Sequence, residues 1–116
     1  MLFMLIVKSS KNSEAGNRPS LELMEAMDKY NKELIEAGVR VMAKGLKPSS
    51  SGIRISYPNS AENPVVTEGP FTEPENVVAG FILIDVNSRE EAIDWAMRMP
   101  DPQGGGEGQI ELREVF

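Results

Sequence analysis

Residues Val65 to Asp85 read VVTEGPFTEPENVVAGFILID. A short β-prone run, Val65 to Thr67, enters a turn at Glu68-Gly69-Pro70-Phe71. An acidic loop with Glu73, Pro74, Glu75 and Asn76 follows. The apolar run Val77 to Val86 then reads as a strand central to a sheet. Gly and Pro in succession are strong punctuation. The segment therefore predicts strand, tight turn, loop, strand in the middle of the chain.

Working back from it, Gly52 to Tyr57 (GIRISY) alternates, with Ile53, Ile55 and Tyr57 opposite Arg54 and Ser56. Pro58 to Pro64 carries turn residues, so this run and Val65 to Thr67 form a long hairpin. Val39 to Leu46 also alternates: Val39, Val41 and Ala43 oppose Arg40, Met42 and Lys44. Lys47 to Gly52 is a Ser/Pro turn. Leu23, Met27, Tyr30 and Leu34 recur at helical spacing after Ser20, a natural N-cap, and Gly38 is placed to end that helix. Ser9 to Pro19 reads as a loop. Met1 to Lys8 reads as a strand buried on both faces.

Working forward, Ser88 and Glu91 fit a capping box. Ala92, Ile93, Ala96 and Met97 give the next helix its apolar face, with Trp95 near one edge. Pro100 and Pro102 end it. Gly104 to Gly106, with Gly108, form a flexible link. Gln109 to Phe116 is the last strand.

The order is β-α-β-hairpin-β-α-β within one domain, 1–116. That order predicts an α+β, ferredoxin-like sandwich with both helices on one sheet face. The other face is left bare, and its central strands are too apolar to face water. The expectation is a homodimer, two sheets face to face around a two-fold axis.

Composition narrows the function. The 116 residues hold no Cys and no His, which excludes disulfides, thiolate chemistry and imidazole as base or metal ligand. A net charge of −6 argues against nucleic acid and anionic membrane as partners. The apolar start is too short for a signal peptide and nothing reaches membrane-spanning length, so the expected setting is cytoplasmic.

Thr67-Glu68-Gly69-Pro70-Phe71, then Gly80-Phe81-Ile82-Leu83-Ile84-Asp85-Val86, then Glu90-Glu91-Ala92-Ile93-Asp94-Trp95-Ala96, resemble the YCII-related family and its DGPF-domain branch. Met4 to Val7, Ala37 to Val39, Gly45 to Pro48 and Ile110 to Arg113 extend the resemblance over nearly the whole chain. It implies a subunit that dimerises into an α+β barrel, and it implies no particular reaction. Glu68 stands where the motif has Asp. The His–Asp pair associated with the YCII branch has no counterpart here.

Two functional readings follow. In the first, the dimer is a binding module whose cleft between sheet faces holds a small anionic metabolite. Arg40, Lys44, Arg54 and Arg113 supply charge from the open face, and Phe71 lines the pocket. In the second, the chain is a small-molecule enzyme of lyase or isomerase type. Glu68, buried at the cleft mouth, is its general acid/base, and Arg54 or Lys44 steadies a developing anion. Each residue also has a structural reading. Glu68 is ordinary turn chemistry, Phe71 an anchor, and the basic residues ion-pair partners. No metal and no cofactor are expected; Glu68, Glu73 and Glu75 lack the spacing of a calcium loop.

Overall fold

Six strands and three helices alternate along the chain in the computed structural model, which describes residues 1–59 and 63–116. They are β1 (Leu2–Lys8), α1 (Lys11–Glu14), α2 (Leu21–Glu36), β2 (Arg40–Gly45), β3 (Ile53–Ser56), β4 (Val65–Glu68), β5 (Val78–Asp85), α3 (Arg89–Arg98) and β6 (Ile110–Glu114). The turn expected over Pro58 to Pro64 lies partly outside the described residues.

The four-stranded sheet has the order β2-β5-β1-β6, and every neighbouring pair is antiparallel. The two most apolar strands, β1 and β5, are therefore central. This is the split βαβ arrangement of a ferredoxin-like α+β fold. β3 and β4 pair only with each other among the described residues, as a separate hairpin.

The pleat sorts the sheet residues into two faces. On one, Phe3, Leu5, Ile82 and Ile84 are buried against Tyr30 and Leu34 of α2 and Ala92 and Trp95 of α3. On the other, the rows Met42-Leu83-Met4-Arg113 and Lys44-Phe81-Ile6-Glu111 cross the sheet. Among the described residues no helix covers that second face, and Met4, Ile6, Phe81 and Leu83 are only partly buried.

Both long helices begin as their sequences require. Ser20 Oγ accepts from Leu23 N–H at 3.1 Å and Ser88 Oγ from Glu91 N–H at 3.1 Å. The return bond of the second cap differs from a capping box, because Glu91 accepts from Asn87 N–H at 2.9 Å. Gly38 ends α2 with φ +73°, a conformation that favours a residue without Cβ. Trp95 is not at an edge. It is buried, edge-on to Tyr30, and its carbonyl accepts from the Tyr30 hydroxyl at 2.6 Å. Arg98 covers its ring at 4.1 Å and reaches Glu33 of α2 at 3.0 Å, so the two helices are tied at the surface as well.

The segment expected as a loop from Ser9 to Pro19 contains α1. Ser10 and Ser13 cap each other reciprocally there. Serine at the third position does the work usually done by Glu or Gln, which hides the signal from a pattern search.

Candidate functional site

The core packs one end of the helix-covered face and leaves the other end hollow. The cause is the row Gly45-Gly80-Val7. Two glycines face each other across β2 and β5 and put no side chain above the sheet. Gly80 is obligatory, since a Cβ there would sit 2.8 Å from the Lys44 carbonyl oxygen. Above this floor is an open cleft of about 1030 Å³. One wall is the side of α2, with Leu23, Met27 and Asn31. The segment leading into α2, with Arg18 and Ser20, forms the second wall, and the loop around Gln103 the third.

The Gln103 loop is firmly built. Asp101 accepts from the N–H groups of Gln103 (3.0 Å), Gly104 (3.0 Å) and Gly106 (2.8 Å). These bonds, the Gln103 one foremost, hold its carboxyl below the ordinary aspartate value. Gln103 donates to the Lys8 carbonyl at 2.9 Å and accepts from Ser10 Oγ at 3.0 Å. The glycine run expected as a flexible link is thus pinned at its start to β1 and to the cap of α1.

The charge around the cleft opposes that of the chain. Arg18, Arg40 and Lys44 line it, against one lining carboxylate, Glu107, among the described residues. None of the three cations forms an ion pair among the described residues. The Nε of Arg40 and the Oδ1 of Asn31 are buried without a hydrogen-bond partner. Unpartnered buried polar atoms are costly and rare, so two in one cleft call for an explanation.

Of the residues expected to carry function, only Arg40 stands on the cleft's side of the sheet, with the Lys44 main chain at the border. Of the four basic residues, Lys44 and Arg113 stand on the open face, and Arg40 and Arg54 do not. A β-bulge between Arg40 and Met42 shifts the strand phase, so Arg40 pairs with Ile84 on the helix-covered side. Lys44 borders the cleft with its main chain, whose carbonyl abuts Gly80, while its register with Phe81 places its side chain on the bare face. Arg113 pairs with Met4 on the edge strand β6, and Arg54 belongs to the separate hairpin.

Arg54 and Phe71 do meet, but as each other's partners: the guanidinium lies 4.0 Å from the ring centroid. Glu68 ends β4, is exposed and does not line the cleft. Its acid/base reading rests on burial at the mouth of a dimer cleft, which a single chain does not supply. Among the described residues no three acidic side chains come together as a metal site.

The Glu68-Gly69-Pro70-Phe71 turn is instead locked to Ser49. Phe71 N–H donates to Ser49 Oγ at 2.9 Å, and Gly69 N–H to the Gly52 carbonyl at 2.9 Å. Ser49 N–H donates to Glu14 at 2.8 Å, and the Ser49 hydroxyl bonds the same carboxylate. Buried Ser49 therefore joins α1, the turn after β2 and the Gly-Pro turn. Arg18, Asn31 and the Ser49 hub escaped the sequence reading because each gains its place only through contacts distant in sequence.

The family model for the YCII-related domain matches residues 1–116. The chain belongs to the YCII-related family. A relative from Rhizobium meliloti (strain 1021), the uncharacterised protein R00369, is 32% identical over 109 residues. That alignment covers 94% of this chain and 82% of the relative. No helix of the described residues is long and apolar enough to cross a membrane.

Proposed function

We propose that this YCII-related protein binds a small anionic metabolite, a carboxylate or phosphate, in the cleft above the Gly45-Gly80 floor. The reading rests on one observation: Arg18 and Arg40 converge on that cleft in a chain of net charge −6. The volume of about 1030 Å³ suits a small molecule. Arg18 and Arg40 each present a planar fork to a carboxylate or phosphate. The N-terminal end of α2, at Ser20, favours the same sign of ligand.

The working unit in this reading is a homodimer, closed over the bare sheet face that carries Met4, Ile6, Phe81 and Leu83. The ligand sits on the opposite, helix-covered side of each sheet rather than between the two sheets. Glu68-Gly69-Pro70-Phe71 supports placement in the DGPF branch, and a chain without cysteine suits a cytoplasmic setting.

Isothermal titration with succinate, inorganic phosphate and a neutral amide of matched size tests the ligand class. Binding of an anion but not of the amide is the expected result. Each charge-assisted bond contributes about 1.5–3 kcal/mol, so Arg40→Met weakens binding by about ten- to a hundred-fold. Equal affinity of wild type and Arg40→Met for every anion tried overturns the proposal.

A further inference from the structure

The hairpin β3–β4 is amphipathic and uncovered. Its register pairs Ile55 with Val66 and Ile53 with Glu68 on one face, and Arg54 with Thr67 and Ser56 with Val65 on the other. The second face is covered only in part by the chain itself, through Arg54 on Phe71, and Val65 there is 50% exposed. The first is not: Ile53, Ile55, Tyr57 and Val66 are 47–63% exposed. An isolated two-stranded hairpin is marginal in water, and antiparallel strands with such alternation are built to pack one face. Both outer edges are unpaired among the described residues, and Arg54 and Glu68 are the only charges of its two strands, so these strands lack the usual protection against strand addition.

We infer that the β3–β4 hairpin is an arm that lays its Ile53-Ile55-Val66 face on a second copy of this chain. The inference rests on the homodimer proposed above. A stable interface buries about 800 Å² on each partner. The bare sheet face, about 19 by 17 Å from strand spacing and rise, offers only about 320 Å² in projection. Its margins carry Lys44, Arg113 and the Lys8–Glu111 pair. The hairpin adds about 130 Å² in projection from two four-residue strands, and the only charge on its contact face is Glu68 at the strand end, clear of the Ile55–Val66 centre. Two copies of net charge −6 repel, so the dimer needs this extra apolar contact. In a two-fold arrangement each copy supplies both the arm and the surface that receives it, with no foreign partner required.

Sedimentation velocity from 0.1 to 100 µM tests this, with Ile55→Glu in the arm and Met42→Glu on the bare sheet face. Circular dichroism serves as the folding control, because both residues are exposed. The expected result is a wild-type dimer whose dissociation constant rises at least a hundred-fold in both variants. A wild-type dimer broken by Met42→Glu and untouched by Ile55→Glu overturns the arm and leaves the homodimer standing. A wild-type monomer throughout the range overturns both. Photocrosslinking from p-benzoylphenylalanine at position 57, replacing Tyr57, gives a second readout independent of stability. It is expected to join two subunits; crosslinks confined to one chain, or to a different protein, overturn the arm.

Discussion

Replacing Gly69 by Ala isolates the Gly-Pro turn. A Cβ at position 69 would lie 1.7 Å from the Ser49 carbonyl oxygen and 2.6 Å from the carbonyl carbon. Both are backbone atoms, so no side-chain rotation relieves the overlap. The turn must move away from Ser49, and two bonds stretch or break: Gly69 N–H to Gly52 O, and Phe71 N–H to Ser49 Oγ, each 2.9 Å. At about 1–1.5 kcal/mol for each bond, with steric strain of similar size, the loss is about 3 kcal/mol. In a domain of this size that lowers Tm by about 10 °C. Gly52→Ala is the matched control, because its Cβ would approach the same Ser49 oxygen no closer than 3.4 Å. Thermal unfolding followed by circular dichroism reads both variants. A Gly69→Ala protein melting within about 1 °C of wild type would show that the turn is not held as described.

The Ser49 hub predicts coupling. Glu14→Gln and Ser49→Ala should each cost about 1–2 kcal/mol, and the double variant well under their sum, because they share bonds; urea unfolding of the four proteins measures this. Tyr30, pushed up to about 12 by burial, stays neutral in the folded chain at pH values where the unfolded chain ionises near 10. Stability should therefore be intact below pH 10 and fall by up to about 3 kcal/mol as pH rises from 10 towards 12. Tyr30→Phe should lose this dependence while costing about 1–3 kcal/mol at neutral pH, since the Trp95 carbonyl is left bare. For Asp101 the sign reverses: its lowered value stabilises the Gln103 loop at neutral pH, and that contribution fades as pH falls through the folded-state value. Amide exchange at Gly104 and Gly106 should quicken in Asp101→Asn at pH 6, whereas an unchanged rate would argue against the loop clasp.

Much of the fold was legible because it depends on local signals. The Ser20 and Ser88 caps, the Gly38 stop, and the apolar runs that became central strands all read correctly from residue type and period. The central position of β1 and β5 followed from their being too apolar for an edge. The site was less legible, for identifiable reasons. A single bulge at Val41 moved Arg40 to the other face, and nothing local marks an extra residue in a strand. Glu68 reads as a buried acid only at the mouth of a dimer cleft, and in the single chain the pairing of β3 with β4 leaves it exposed. Serine pairs at Ser10 and Ser13, and the contact between Ser49 and Glu14, are ordinary residues given roles by tertiary geometry. Gly45 and Gly80 were each visible, but their meeting across two strands was not.

On the proposed reading of the cleft as a binding site, that meeting has a consequence for how preference can diverge among relatives. A cleft floored by bare main chain presents the same peptide surface whatever the neighbouring side chains become. At Gly80 even one added methyl collides with the adjacent strand. Diversification is then confined to the surrounding positions, such as 18, 31 and 40. Members that accept different guests should keep the depth of the hollow and differ in its upper walls.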